Sequence, residues 1–322
     1  MFNISIIGAG QLGSRHLQGL KTAKLEMKIE VVDTSEESLS MSRLRYEQVP
    51  NNTQIKNIRF IKSIAELSDE QDLVIVATGA GPRYAITKEL IKNKKIKNII
   101  FEKVLFQKID DYLEIENLLV VNHINAWVNC PRRMYSFYSN LKDLFIDSNK
   151  LILNITGGDW GVGCNSIHFI DLLAYISKAK QYKVNVSTLD PVLFSSKRVG
   201  YVEFSGILSI ITERGDILTL ISQKDSVAPT IVTIQSDKLT VIVDETNQLM
   251  FSLESGECVK SNIQVPYQSQ LTGIVAEQIL LHGISLLTSF NESKILHLAF
   301  IKPLLEFYNN INRQESKICP IT

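Results

Sequence analysis

The segment Gly8-Ala9-Gly10-Gln11-Leu12-Gly13 constrains this chain more than any other. It follows the apolar run Ile4-Ser5-Ile6-Ile7 and leads into Ser14–Leu20, whose pattern predicts an amphipathic helix. Strand, Gly-x-Gly-x-x-Gly and helix, in that order, form the context in which backbone cradles a dinucleotide pyrophosphate. Gly8 permits the tight turn, Gly10 lets backbone approach a phosphate, and Gly13 lets the helix pack on the strand. The first helical N–H groups, around Gln11 and Leu12, then offer the positive end of the helix dipole to the anion. A second apolar run, Ile29-Glu30-Val31-Val32, ends at Asp33, twenty positions beyond Gly13. A carboxylate there suits an adenosine ribose 2′-hydroxyl and repels a 2′-phosphate, so the expected cofactor is NAD, with NADP less favoured. The alternative for Asp33 is capping a helix that starts in Thr34-Ser35-Glu36-Glu37.

A length of 322 residues predicts about two domains. Lys plus Arg and Asp plus Glu both total 34, so charge gives no reason to expect nucleic acid or an anionic membrane as partner. No apolar run approaches the ~20 residues of a membrane span. The start, Met1-Phe2-Asn3-Ile4, lacks the basic region of a secretory signal. Cys130, Cys164, Cys258 and Cys319 lie far apart with no Cys-x-x-Cys pair. Reduced thiols in a cytoplasmic protein are therefore expected, without a metal site.

Residues 1–121 alternate apolar runs with helical patterns, the grammar of a doubly wound parallel α/β domain. Expected strands are Asn3–Ile7, Ile29–Asp33, Ile58–Ile61, Leu73–Thr78, Asn98–Glu102 and Leu118–Val121. Ligands of such sheets bind beyond the strand carboxyl ends, here Gly8–Gly13, Asp33, Thr78 with the glycines after it, and Glu102-Lys103. Residues 122–322 predict a second, α+β domain. A helical stretch at Pro131–Leu144 precedes a strand at Leu151–Thr156. The glycine-rich Gly157-Gly158-Asp159-Trp160-Gly161-Val162-Gly163 then leads into a helix at Asn165–Ser177. Alternating runs at Val199–Phe204, Ile207–Thr212, Ile217–Ser222, Thr230–Gln235, Leu239–Val243 and Leu249–Leu253 predict a mainly antiparallel sheet, followed by two closing helices. A sheet face left bare by its own helices would join copies of the chain into a homodimer or homotetramer.

These blocks resemble the Gfo/Idh/MocA oxidoreductases. Gly8 through Leu17 is similar to the family's opening, including His16. Glu102-Lys103 resembles its Glu-Lys-Pro motif, Asn125–Arg133 the segment ending in two arginines, and Ile167–Leu173 its His-x-x-Asp-Leu helix. Two positions depart from the pattern. Val104 replaces the proline after Glu-Lys, and Cys164 replaces an acid four residues before His168. Proline favours an unusual peptide geometry, whereas valine is expected to take a trans bond and aim Lys103 differently.

The resemblance implies hydride transfer between a nicotinamide and a carbinol or ketone of a sugar, cyclitol or sugar nucleotide. The stretch Cys164–His168 is similar to oxidoreductases associated with bacterial surface glycans. Lys103 suits the cation beside a developing alkoxide, with Glu102 to orient it; a surface lysine after a buried strand is the alternative. His168 is the candidate acid/base, because imidazole titrates near neutrality. Arg132, Asp159, Trp160, Cys164, Asn165 and Asp171 are candidate substrate contacts. Trp160 would stack on a sugar face or fill a cleft, and Arg132 would bind an anionic group or make a structural ion pair. Loss of the acid and the proline leaves a second reading open, a non-catalytic sensor of NAD or a sugar.

Overall fold

The computed structural model describes residues 1–145 and 148–322. They form two compact units. The first holds Met1–Phe106, Asp110–Cys130 and Pro266–Lys294; the second holds Gln107–Ile109, Pro131–Val265 and Ile295–Thr322.

The first unit contains strands β1 (Phe2–Ile7), β2 (Met27–Val32), β3 (Ile55–Ile61), β4 (Leu73–Val76), β5 (Asn98–Phe101) and β6 (Asn125–Val128). Their order is β3-β2-β1-β4-β5-β6, every neighbouring pair is parallel, and the short strand Thr288–Ser289 adds antiparallel to β6. This is the doubly wound order, with its switch point between β1 and β4. Leu73–Val76 is wholly buried, as are Ile4, Ile6 and Ile99–Phe101, because a parallel sheet is covered on both faces. Each such side chain contributes about 1.5–3 kcal/mol of apolar burial. The connecting helices are α1 (Gln11–Leu20), α2 (Glu36–Glu47), α3 (Ala80–Asn93) and α4 (Ile109–Val121).

Two expectations need correction here. Leu118–Val121 is not the sixth strand but the end of α4, where Tyr112, Ile115 and Leu119 are buried at helical spacing. His123, with φ 54°, turns the chain into β6 instead. The cut after residue 121 also differs from the observed division. β6 completes the parallel ladder on β5, which carries the unit to Cys130. The helix Gln268–His282 then returns to pack on α1, so closely that a Cβ on Gly19 would lie 2.7 Å from Thr272 Cβ.

In the second unit, α5 (Ser136–Leu144) and α6 (Val162–Ser177) accompany an eight-stranded sheet and a small ribbon. The strands are β7 (Ile152–Gly158), β8 (Tyr182–Leu189), β9 (Phe194–Ser195), β10 (Val202–Glu203), β11 (Gly206–Thr212), β12 (Ile217–Gln223), β13 (Ile231–Gln235), β14 (Leu239–Asp244), β15 (Leu249–Glu254) and β16 (Glu257–Asn262). Sheet order is β8-β11-β12-β7-β13-β14-β15-β16, antiparallel except for the parallel pair β7–β12. The run expected at Val199–Phe204 stays outside it. Only Val202–Glu203 is strand there, and it pairs with β9 in a separate ribbon. Period-two alternation buries Leu153, Ile155, Leu218, Leu220, Val232 and Ile234 on one face, where α6 packs on β12. Helix α6 has buried residues all round, so its position is closely specified. The helical stretch expected at Pro131–Leu144 is a 3₁₀ turn, Pro131–Met134, followed by α5. No helix among the described residues is long and apolar enough to cross a membrane.

Candidate active site

The glycine turn sits beyond the carboxyl end of β1 with Gly8 at φ 99°. A Cβ on Gly13 would lie 1.7 Å from the Gly8 carbonyl oxygen, so only glycine lets α1 start there. Gly10 is the N-cap of α1; no side chain caps this end, and a Cβ at Gly10 would meet nothing within 4 Å. Among the described residues no side chain caps the first turn of α1, at Gln11, Leu12 and Gly13. Asp33 accepts hydrogen bonds from Ala9 N–H at 2.7 Å and Ser35 N–H at 2.9 Å, tying the glycine turn to the end of β2. Ser35, not Asp33, caps α2, accepting from Ser38 N–H. Thr78, after β4, has a buried hydroxyl with no hydrogen-bond partner among the described residues. An uncapped helix start, a glycine cradle and an orphaned hydroxyl along one strand-end row fit a dinucleotide pyrophosphate. Gly8–Gly13, Asp33 and Thr78 are the residues that would hold it.

Lys103 follows β5 and is 7% exposed. Its peptide bond to Val104 is cis, which overturns the expectation of a trans bond. The surroundings define that backbone closely: Val104, Leu105 and Phe106 are fully buried, and the buried guanidinium of Arg83 donates to the carbonyls of Thr78, Val104 and Leu105. Glu102, beside Lys103, is also buried. His16 Nε2 lies 2.9 Å from its Oε1, and Asn129 Nδ2 donates to the same oxygen at 2.6 Å. Asn129 spends its other proton on Gln268 Oε1 at 2.8 Å, while His16 Nδ1 meets Thr272 Oγ1 at 2.9 Å. Burial pushes the Glu102 carboxyl up, but the hydrogen bond and charge of His16, the Asn129 bond and the Lys103 ammonium outweigh it and hold the group below the usual range. An ionised carboxylate only accepts, so Nε2 of His16 carries a proton.

In the second unit, Gly161 at φ 82° is the N-cap of α6 and Cys164 lies in its first turn, one turn before half-buried His168. Trp160 donates from Nε1 to the Ile221 carbonyl at 2.8 Å and meets Phe169 edge-on, ring centroids 5.6 Å apart. Asn165 Nδ2 donates to the Trp160 carbonyl at 2.6 Å, and Asp159 is exposed. The turn thus holds itself together before any ligand is considered. Arg132 and Asp171 have protein partners. Arg132 forms a two-point pair with Glu245, both bonds 2.8 Å, above the Phe169 ring. Arg133 grips Asp171 at 2.7 and 2.8 Å with both side chains buried. These pairs match the structural ion-pair reading.

Sequence reasoning missed Arg83, Asn129, Gln268, Thr272, Glu203 and Glu245. Each reaches its partner across a sequence separation that no local pattern encodes; Gln268 meets Asn129 from 139 positions away. Arg83 sits on the buried stripe of α3 with Ala80, Thr87 and Leu90, a place where a charged residue left no legible trace.

Residues 2–129 match the model of the oxidoreductase family with an NAD-binding Rossmann fold. Over this stretch, less than half of its length, the chain is similar to the Gfo/Idh/MocA oxidoreductases. Among solved structures it is similar to a UDP-N-acetylglucosamine 3-dehydrogenase from Acidithiobacillus ferrooxidans, at 12% identity, TM-score 0.69, covering 94% of this chain and 96% of that one. It is similar also to an Agrobacterium radiobacter oxidoreductase in complex with NAD+, L-tartaric acid and magnesium, at 12% identity, TM-score 0.72, covering 97% and 99%. A third is the biliverdin reductase of Synechocystis sp. PCC 6803 with biliverdin and NADP+, at 12% identity, TM-score 0.69, covering 94% and 98%. These likenesses establish the fold over nearly the whole chain. No curated protein gave a significant sequence match.

Proposed function

We propose that this chain is an oxidoreductase that uses NAD to oxidise a secondary alcohol, or reduce the corresponding ketone, of a sugar, cyclitol or sugar nucleotide. The observation that carries the reading is Lys103, buried at the end of β5 in an NAD-binding Rossmann unit and backed by the ionised Glu102. Asp33 at the end of β2 favours NAD over NADP. Bound NAD supplies the hydride acceptor, or when reduced the donor. Lys103 supplies a positive charge for the developing alkoxide, and its buried setting makes that charge effective. His168 takes the hydroxyl proton and returns it in the reverse direction. The similarity to a sugar-nucleotide dehydrogenase supports the substrate class.

A screen of sugars and sugar nucleotides, followed at the reduced-nicotinamide absorbance band, tests this. Steady turnover is expected, and K103A and H168A should each lose about 10²–10⁴-fold in kcat with nucleotide affinity retained. Saturable ligand binding with no turnover across the library would identify a sensor instead.

The bare sheet face, with Ile207, Ile211, Ile217, Ile221, Ile231 and Ile242, fits a second copy of the chain. These residues share one face by cross-strand register, and its centre carries no charge. A flat, uncharged face of this kind is self-complementary across a two-fold axis. Light scattering should show a dimer or tetramer that I211K combined with I242K reduces to monomer.

A further inference from the structure

Two buried carboxylates of the second unit and one half-buried one have cations: Asp171 has Arg133 at 2.7 Å, Asp216 has Arg214 at 3.6 Å, and half-buried Glu245 has Arg132 at 2.8 Å. Glu203 is different. It is 5% exposed, and among the described residues none of its partners is a cation. Its Oε2 accepts from Gly163 N–H at 2.7 Å and its Oε1 from Cys164 N–H at 3.2 Å; the Cys164 thiol also bonds to it. A Cβ on Gly161 would lie 2.8 Å from Glu203 Oε1 and 3.1 Å from Asn165 Nδ2, so this oxygen borders the glycine turn. Cys164 Sγ lies 3.7 Å from Ser196 Oγ, next to the same ribbon.

Keeping a carboxylate from water without a cation is costly, and where a cleft retains one, its proton is commonly in use. Helix geometry places His168 about 6 Å along the axis from Cys164, on the same face. We propose that Glu203 is a positioning residue of this unit: delivered by β10, it clamps the first turn of α6 and, with Cys164, sets the charge that His168 meets one turn on. Burial raises its carboxyl above the ordinary range, and the Cys164 thiol and the N–H groups of Gly163, Cys164 and Phe204 offset this only partly. Among the described residues the Cys164 thiol on α6 bonds to it, and buried Cys319 faces that thiol. The coupling to His168 rests on the function proposed above; the clamp on Cys164 does not.

The test is alkylation of the whole protein with iodoacetamide between about pH 6 and 9, read residue by residue by peptide mass spectrometry. Exposed Cys258 serves as internal reference. In E203Q the amide keeps an acceptor in place but removes the charge that opposes the Cys164 thiolate. Cys164 should then react about 3–10-fold faster near neutrality relative to Cys258. An unchanged ratio in folded E203Q overturns the clamp. If E203Q does not fold, the wild-type profile decides: two inflections at Cys164 support the proposal, and a single thiol titration overturns it. Where a substrate is in hand, the carboxylate favours imidazolium, so the acid limb of turnover should move about 0.5–1 pH unit lower in E203Q. An unmoved limb overturns the coupling to His168, and absence of turnover in wild type overturns only the function.

Discussion

Glu102 and Glu203 are both buried, and each precedes or adjoins a side chain expected to act on substrate, yet their units treat them in opposite ways. In the first unit His16, Asn129 and the Lys103 ammonium surround Glu102, and its carboxyl is held below the usual range. In the second unit Glu203 has backbone N–H groups and a thiol, and its carboxyl is held above it. A group pinned as an anion gives Lys103 a permanent counter-charge. The two carboxylates are thus held in opposite directions, Glu102 toward the anion and Glu203 toward the neutral acid.

The largest effect that sharpens this contrast lies in the backbone of the first unit. G13A places a Cβ 1.7 Å from the Gly8 oxygen, and it should abolish nucleotide binding and lower the melting temperature of the protein. G10A meets nothing within 4 Å, so its melting temperature should stay at the wild-type value. Its reduced-nicotinamide affinity should still fall about 10-fold or more, because the methyl group occupies the phosphate approach. Calorimetry of both variants, with and without NADH, separates a rigid cradle from one that adapts. If G10A binds normally, the pyrophosphate does not lie against this turn.

Next come the ion pairs. R133A leaves Asp171 buried without its cation and should lower unfolding free energy by about 3–5 kcal/mol in urea denaturation. H16A leaves Glu102 with Asn129 and the adjacent Lys103, so a smaller loss of about 2–3 kcal/mol is expected. H16Q should recover part of it, because an amide N–H can replace Nε2. If H16A costs nothing, Glu102 is not held as an anion by His16, and the contrast between the units fails.

How legible each unit was follows from the same difference. Gly8, Gly10, Gly13 and Asp33 act through local backbone geometry and a strand-to-strand spacing, which a sequence displays directly. Lys103 was legible because the strand before it is apolar and a strand end is where ligands bind. The cis bond at Val104 was not, since the groups that surround it come from Arg83 and from buried side chains. α4 was misread in part because Leu118–Val121 is apolar enough to pass for a strand, and only its register with Tyr112 and Ile115 reveals the helix. In the second unit the difficulty is greater. Glu203 reaches α6 from a two-residue strand 40 positions away from Gly163, and Glu245 reaches Arg132 across 113 positions. Neither periodicity nor motif spacing encodes such meetings; they are products of sheet register.

The smallest expected effect is also the most direct comparison, the pH dependence of stability in E102Q and E203Q. Glu102 has a folded value below its unfolded one, so it contributes stability that is present above the ordinary carboxyl range and lost as pH falls through the depressed value. E102Q should therefore be less stable than wild type at neutral pH, with the deficit shrinking in acid. Glu203 has a raised folded value, so its contribution is present below the ordinary range and lost as pH rises through the folded value. E203Q should be more stable than wild type at neutral pH, a gain that shrinks as pH falls through the ordinary carboxyl range. Urea unfolding of both variants at several pH values reads the two slopes. Opposite slopes sustain the contrast between the units, whereas parallel slopes mean that both carboxylates are held alike and that only the glycine cradle distinguishes the first unit.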